Sequence, residues 1–277
     1  AFARRGQLKI LGQGKFHPLK FLYGVAEEAR KAGAHIFEHT KAVSVVKGKG
    51  DITVITDGGF RITAPLMVTA TYYPWGRQIA TRFKKGAYTS YVLEALIPHG
   101  LLEEAIYWDM ENPYHYFRVD RQGGEDRLIL GGEDHRRELT IESRKNFAAL
   151  EEYLREVIGI KKYTLVRRWR GPIIESVDGL PLIGEVAPSQ FVMTGFSGNG
   201  MTYAMVAAQL VHDAVLRKEN PWKELYDPRR IPTAKQLLYK TRDYGGELFG
   251  GAFKNAIRYK KTGARRMVKD TAASRHS

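Results

Sequence analysis

Between His17 and Gly33 the apolar residues Leu19, Leu22, Val25, Ala26 and Ala29 recur at three- and four-residue spacing. That period predicts a helix with one apolar side to bury. Pro18 suits its first turn and Gly33 the position just past its end. His17 reads as a surface cap on the helix start. Beyond Gly33 the texture becomes strand-like. "HIFEHT" and "AVSVV" predict two short strands. Residues 52–56 and 60–63 flank Asp57-Gly58-Gly59 and predict a hairpin, since an Asp-Gly pair accommodates the tight turn. Residues 66–70 read as a buried strand.

From about residue 88 to 132 the chain is rich in aromatics, with strand-like runs "TSYVLEALI", "YHYFRVD" and "RLILGGED". "TIESRKNFAALEEYLREVIG" predicts an amphipathic helix capped by Thr140 and closed by Gly159. "YTLVRRWRGPII" predicts one more strand, and "VMTG" another, followed after a three-glycine turn by a helix. The order is α/β, then mostly β, then α/β again. It predicts a mixed α/β protein whose nucleotide-binding domain, residues 1–76 and 170–230, is interrupted by a β-rich substrate domain, residues 77–169. Residues 231–277 form a basic C-terminal extension.

Composition narrows the chemistry. The 277 residues contain no cysteine, which excludes disulfides, thiol catalysis and thiolate-held zinc or iron–sulfur centres within this chain. A reducing, cytoplasmic location fits. The net charge is +14, but residues 231–277 hold 11 Lys/Arg against 3 Asp/Glu, leaving only +6 to the first 230 residues. A basic nucleic-acid-binding module is therefore a rival reading, although such a tail is more often a solvated or partner-binding extension. No signal peptide is evident at the start. Residues 186–212 lack charge, but Pro188, Gly195, Gly198, Asn199 and Gly200 break them into strand, turn and helix, so no membrane span is expected.

The turn "GFSGNG" has the spacing Gly-x-x-Gly-x-Gly and no Lys-Ser or Lys-Thr after it, unlike a P-loop. Two readings are open. The glycines are packing residues of a tight strand–helix turn. Alternatively, they let the backbone approach a ligand, with left-handed backbone expected at Gly198 or Gly200, and the helix N-terminus favours an anionic or polarisable partner. Tyr114, Tyr116 and Arg118 share one strand face by alternation, and either line a substrate pocket or form a half-buried aromatic surface. Glu133-Asp134-His135 reads as a loop in reach of substrate and not as a metal cluster, because adjacent strand residues point apart. No metal site is expected.

The pair "RWRGPIIESVDGLPLIG" and "FVMTGFSGNGMTYAMVAAQLVHDAV" resembles the C-terminal flavin segment of the D-amino-acid-oxidase-like FAD-dependent oxidoreductases, a superfamily that includes glycine oxidase and sarcosine oxidase. "HPLKFLYGVAEEARKAGAHIFEHTKAVSVV", "APLMVTATYYP" and "NPWKELYDPRR" match as well, so the resemblance covers about residues 14–230. "LILGGEDH" and "NPWKELYDPRRIPTAKQLL" look most like the branch often fused to a Rieske domain. The resemblance implies a glutathione-reductase-like FAD-binding domain and oxidation of an amine or amino-acid-like C–N bond by hydride transfer to the flavin. It places Gly195, Ser197, Gly198, Asn199, Gly200 and Met201 against the flavin ring. Thr69, Ala70 and Thr71 pass the cofactor, and Thr40, Ala42 and Val43 meet the adenine end.

Two departures accompany it. The family's opening strand, Gly-x-Gly-x-x-Gly turn and helix, which cradle the FAD pyrophosphate, have no counterpart in these residues. The nucleotide domain is thus N-terminally incomplete, and the chain alone is expected to be colourless, poorly soluble and inactive. On that reading it is a flavoprotein fragment or split subunit, completed by an N-terminal segment or a partner chain. Ile173 also stands about where amino-acid oxidases place the Arg that clamps the substrate carboxylate. Simple α-amino acids are therefore expected to fit poorly unless another Arg, such as Arg118, takes that role.

Overall fold

The computed structural model describes residues 8–72, 87–111, 113–136, 143–176 and 178–231. The chain divides into two units, Ala1–Arg229 and Arg230–Ser277, and the architecture below is that of the first. It is mixed α/β, and its described residues form three sheets.

The helix α1 (Pro18–Lys31) starts at His17, whose Nδ1 accepts from the Lys20 N–H, and Gly33 follows it at φ +95°. Cap, first-turn proline and terminal glycine fall as their chemistry dictates. Its apolar side does not pack as expected: no α1 residue is buried, and Leu19, Leu22 and Val25 remain about half exposed. The segment 35–40 is also not a strand. Ile36 and Phe37 are exposed, and residues 34–37 run without strand pairing. A strand needs a neighbour to receive its N–H and C=O groups, and no described segment lies in ladder register with this one.

The first sheet is β1 (Ala42–Lys47), β2 (Ile52–Thr56) and β3 (Arg61–Ala64), with β2 central and both pairings antiparallel. The Asp-Gly-Gly turn closes as predicted: the Gly59 N–H donates to the Thr56 carbonyl, with Gly59 at φ +81°. The second sheet is β10 (Leu182–Ala187), β11 (Gln190–Thr194) and β4 (Met67–Tyr72), in that order. β11 and β4 are parallel. The helix α3 (Gly200–Val215) buries Ala207, Leu210 and Val211 against Ile183 and Phe191 of this sheet.

The largest sheet is five-stranded and antiparallel, in the order β6-β7-β8-β5-β9. Its strands are β5 (Ala87–Pro98), β6 (Ile106–Trp108), β7 (Tyr116–Asp120), β8 (Glu125–Arg136) and β9 (Thr164–Ile174). Alternation sends Tyr91, Leu93, Ala95, Ile97, Phe117, Val119, Leu128 and Leu130 to one side, where they form the main core with Leu150, Tyr153 and Leu154. The last three come from α2 (Ser143–Glu152) and a π-helical turn, Tyr153–Ile158, that ends at Gly159 in left-handed conformation. The expected cap Thr140 lies outside the described residues. Glu133-Asp134-His135 belongs to β8 and is not a loop: Thr89 pairs with His135 and Tyr88 with Arg136. A bulge sits there, with Gly132 at φ +149° and Glu133 at φ +55°.

Candidate functional site

The second sheet and the five-stranded sheet meet at the glycine turn. β11 ends at Thr194, whose hydroxyl donates to the Tyr72 carbonyl at 2.7 Å. The Tyr72 hydroxyl accepts from the Ile174 N–H at 2.9 Å and donates to the Pro172 carbonyl. The Ser197 N–H in turn donates to the Ile174 carbonyl at 3.0 Å, and Glu175 bridges Phe196. The ends of β4, β9 and β11 are thereby stitched around the turn. Left-handed backbone falls at Gly195 (φ +75°) and Ser197 (φ +54°), not at Gly198 or Gly200 as expected.

Gly198 and Gly200 serve another purpose. A Cβ at either would meet no atom within 4 Å, so both glycines border open space at the surface of the turn. Asn199, the N-cap of α3, makes no side-chain capping bond, and no acidic residue stands in the first turn. Helix N-termini leave N–H groups without intrahelical partners and carry partial positive charge. Here that end faces the open space with no carboxylate of its own competing for it. The cradle fits a planar, polarisable group that gains negative charge, as the ring of a flavin does on reduction.

The structure gathers the remaining expected residues in three places. Thr69, Ala70 and Thr71 lie on β4, in the strand that leads into Tyr72, and Ile173 precedes the Ile174 anchor. Ala42 and Val43 open β1 at the edge of the first sheet, with Thr40 two residues before it, and a register shift between Ala42 and Ser44 leaves Val43 bulged and exposed. Tyr114 and Tyr116 stack at 5.9 Å between ring centres on the five-stranded sheet, on the side away from α2, with Tyr116 lying over Gly131. Tyr114 precedes β7.

Arg118 is engaged. Its Nε and Nη2 donate to Asp120 at 2.9 and 2.7 Å, and Nη1 donates to the Phe16 carbonyl at 2.9 Å. Lys15 joins the same carboxylate. Burial pushes Asp120 up, but the bonds from Arg118 and Lys15 prevail and hold it below its ordinary value. This fork ties the segment before α1 to the β-rich region.

Sequence reasoning missed one polar network. His115 is buried, stacks on Tyr153 at 3.9 Å, and places Nδ1 3.2 Å from Asp109 and Nε2 3.0 Å from Glu133. Tyr153 also donates to Asp109. Desolvation opposes charge on His115, but the two carboxylates raise its pKa above the ordinary value. Both ring nitrogens donate only in imidazolium, so the geometry fits a positive charge. Its members come from a loop, a bulge and the π-helical turn, and no spacing in the sequence joins them. Among the described residues no cluster of His, Asp or Glu is arranged to hold a metal ion.

Residues 3–214 match the family described as FAD dependent oxidoreductase, and the chain belongs to that family, whose cofactor is FAD. Among curated proteins it is similar to YhfW of Bacillus subtilis (strain 168), designated a Rieske 2Fe-2S iron-sulfur protein, with 27% identity over 88% of this chain and 48% of that protein. It is also similar to OrdL of Rhizobium meliloti (strain 1021), designated an oxidoreductase, with 25% identity over 76% of this chain and 49% of that one. The chain thus spans about half the length of the curated relatives it matches. Two solved structures share the fold. L-proline dehydrogenase from P. horikoshii has 19% identity and a TM-score of 0.64, over 77% of this chain and 59% of its own. Glycine oxidase from Geobacillus kaustophilus has 22% identity and a TM-score of 0.62, over 76% and 57%. No helix among the described residues is long and apolar enough to cross a membrane.

Proposed function

We propose that this chain carries the flavin-ring and substrate-binding part of an FAD-dependent oxidoreductase acting on an amine or amino-acid-like C–N bond. The observation that carries the proposal is the open, Cβ-free cradle at Gly198 and Gly200, backed by the uncapped N-terminus of α3. When bound, the flavin would supply the electron sink for oxidation of the carbon beside the substrate nitrogen. The residues of this chain hold and orient. Gly198, Gly200 and Met201 offer backbone N–H groups to the ring edge, while Gly195, Ser197 and Asn199 shape the turn against it, the Ser197 and Asn199 N–H groups being held by the Ile174 and Phe196 carbonyls. Thr69, Ala70 and Thr71 line the passage of the cofactor, and Thr40, Ala42 and Val43 form the adenine end. The β-rich residues 77–169, whose sheet continues along β9 to Ile174, cover the reacting face and exclude water.

The nucleotide domain, residues 1–76 and 170–230, is completed in this proposal by a strand–helix unit bearing the pyrophosphate-binding glycine turn. It is supplied in cis or by a partner chain. The half-exposed apolar side of α1 and the outer edge of β4, the last strand of its sheet among the described residues, are the surfaces that would receive it. Ile173 offers no donor to a substrate carboxylate, and Arg118 is bound to Asp120, so α-amino acids are expected to be poor substrates. The test is FAD titration followed by anaerobic addition of amines, reading the bleaching of the oxidised-flavin band. Absence of FAD binding even with the glycine-turn segment supplied would overturn the proposal. Rapid bleaching by glycine or D-alanine that is unaffected by Arg118→Ala would overturn its substrate preference.

A further inference from the structure

Two adjacent residues leading into β7 grip two adjacent residues of the β8 bulge, one pair on each side of the five-stranded sheet. On the α2 side, His115 Nε2 lies 3.0 Å from Glu133. On the other side Tyr114 is hydrogen-bonded to Asp134, which is also bonded to Ser90. The bulge between the grips is strained, with Glu133 at φ +55° and Gly132 at φ +149°. Such backbone persists only where its surroundings fix it. Here Asn146 Nδ2 donates to the Glu133 carbonyl at 3.2 Å, and His115 holds the carboxylate. Among the described residues that carboxylate has no other partner. There is no slack between the segments: a Cβ on Gly132 would lie 2.8 Å from both the His115 ring and the Tyr114 carbonyl.

The α2-side grip depends on one proton. His115 is 7% exposed and faces Asp109 from the loop after β6, Glu133 from β8, the Tyr153 ring from the π-helical turn and, through the sheet, Asp134. No cation is among these groups. Imidazolium donates from both ring nitrogens. A neutral ring donates from one and turns a lone pair toward a carboxylate at the other, so one contact becomes repulsive where little water can screen it. Asp109 is anchored either way, by the Tyr153 hydroxyl at 3.0 Å and the His115 backbone N–H at 2.8 Å. Glu133 is not, so the bulge is the side that yields. Desolvation opposes charge on His115, but Glu133 and Asp109 outweigh it, so release falls above the ordinary value of 6.5.

We propose that His115 is a proton-operated latch on the β8 bulge: charged, it clamps Glu133 beside Asp109 on the α2 side and thereby holds Asp134 and the stacked Tyr114 and Tyr116 on the opposite face; neutral, it releases them. Where that face receives substrate, as in the proposed function, the shape of its aromatic surface follows the charge of one buried histidine on the other side of the sheet.

The test is amide hydrogen exchange of the full chain, read by mass spectrometry between about pH 5 and pH 8, the range in which histidine changes charge. Each rate is divided by the intrinsic base-catalysed rate. Peptides covering residues 129–136 and 106–116 should open about tenfold more readily at the upper end, the loss of one hydrogen bond to a charged group. The peptide covering 52–64 in the first sheet should stay level. Glu133→Gln should move the step to lower pH, because one carboxylate no longer favours the charge; loosening of structure alone would raise exchange without moving the step. His115→Phe keeps the ring stack and should remove the step, leaving both peptides open throughout. Circular dichroism checks folding; if His115→Phe is unfolded, Glu133→Gln carries the test, and if neither folds the wild-type series decides it. Level wild-type exchange, a step that survives in His115→Phe, a step at the same pH in Glu133→Gln, or equal opening of the first-sheet peptide would each overturn the latch. None of these readings uses flavin, so the latch and the oxidoreductase reading fail separately.

Discussion

Replacing Tyr72 with Phe removes one oxygen from the joint that holds the glycine turn. The Tyr72 ring packs against the Ile174, Leu182 and Val192 cluster, and Phe keeps that packing. The hydroxyl accepts from the Ile174 N–H and donates to the Pro172 carbonyl. Pro172 is exposed, so water replaces its bond. Ile174 is only 2% exposed, so its N–H is left buried and unpaired. An unmatched buried donor costs about 1–3 kcal/mol. For a folded unit spanning Ala1–Arg229, each kcal/mol lowers Tm by about 2–4 °C, giving a fall of roughly 2–12 °C. Because the Ile174 carbonyl also receives the Ser197 N–H, the turn should loosen and FAD affinity fall with it. Thermal unfolding of the variant, and FAD titration with the completing glycine-turn segment supplied, read both effects. An unchanged Tm with unchanged FAD affinity would refute the view that this hydroxyl ties the turn to the β-rich region.

Gly198→Val should leave Tm unchanged, since its Cβ meets nothing, yet abolish the FAD binding seen when the completing glycine-turn segment is supplied, by filling the cradle; wild-type affinity under those conditions would make the turn merely structural. Gly195→Val should instead lower stability by about 1–2 kcal/mol, because φ +75° is left-handed, and an unaltered denaturation midpoint would contradict that. Gly132→Ala should be among the most damaging small changes, since its Cβ would lie 2.8 Å from the Tyr114 carbonyl and the His115 ring at φ +149°; a soluble variant with wild-type unfolding would refute the packing. His115→Phe keeps the stack on Tyr153 but removes both carboxylate contacts. The His115 pKa is raised by folding, so its contribution is full below the ordinary value of 6.5 and disappears as pH rises through the folded value. The stability difference between wild type and His115→Phe should therefore be largest in mild acid and shrink with rising pH, and a flat difference would contradict a charged His115.

Local chemistry was legible in the sequence. The His17 cap, the Asp57-Gly58-Gly59 hairpin, the Gly159 stop and the strand–glycine–helix run each depend on residues within a few positions of one another, so backbone preference and hydrogen bonding declare them. Alternation likewise exposed the strands of the β-rich region, although the short β6 and the π-helical turn escaped it. Tertiary structure decided the rest. Residues 35–40 have strand composition but no ladder partner among the described residues, and none of the described residues buries the apolar side of α1. The Tyr72 joint and the His115 network each join residues far apart along the chain. A sequence states which donors, acceptors and apolar groups are present and how they alternate. Which of them meet is set by sheet order, register and bulges, because burial makes each polar group depend on a partner that local pattern does not name.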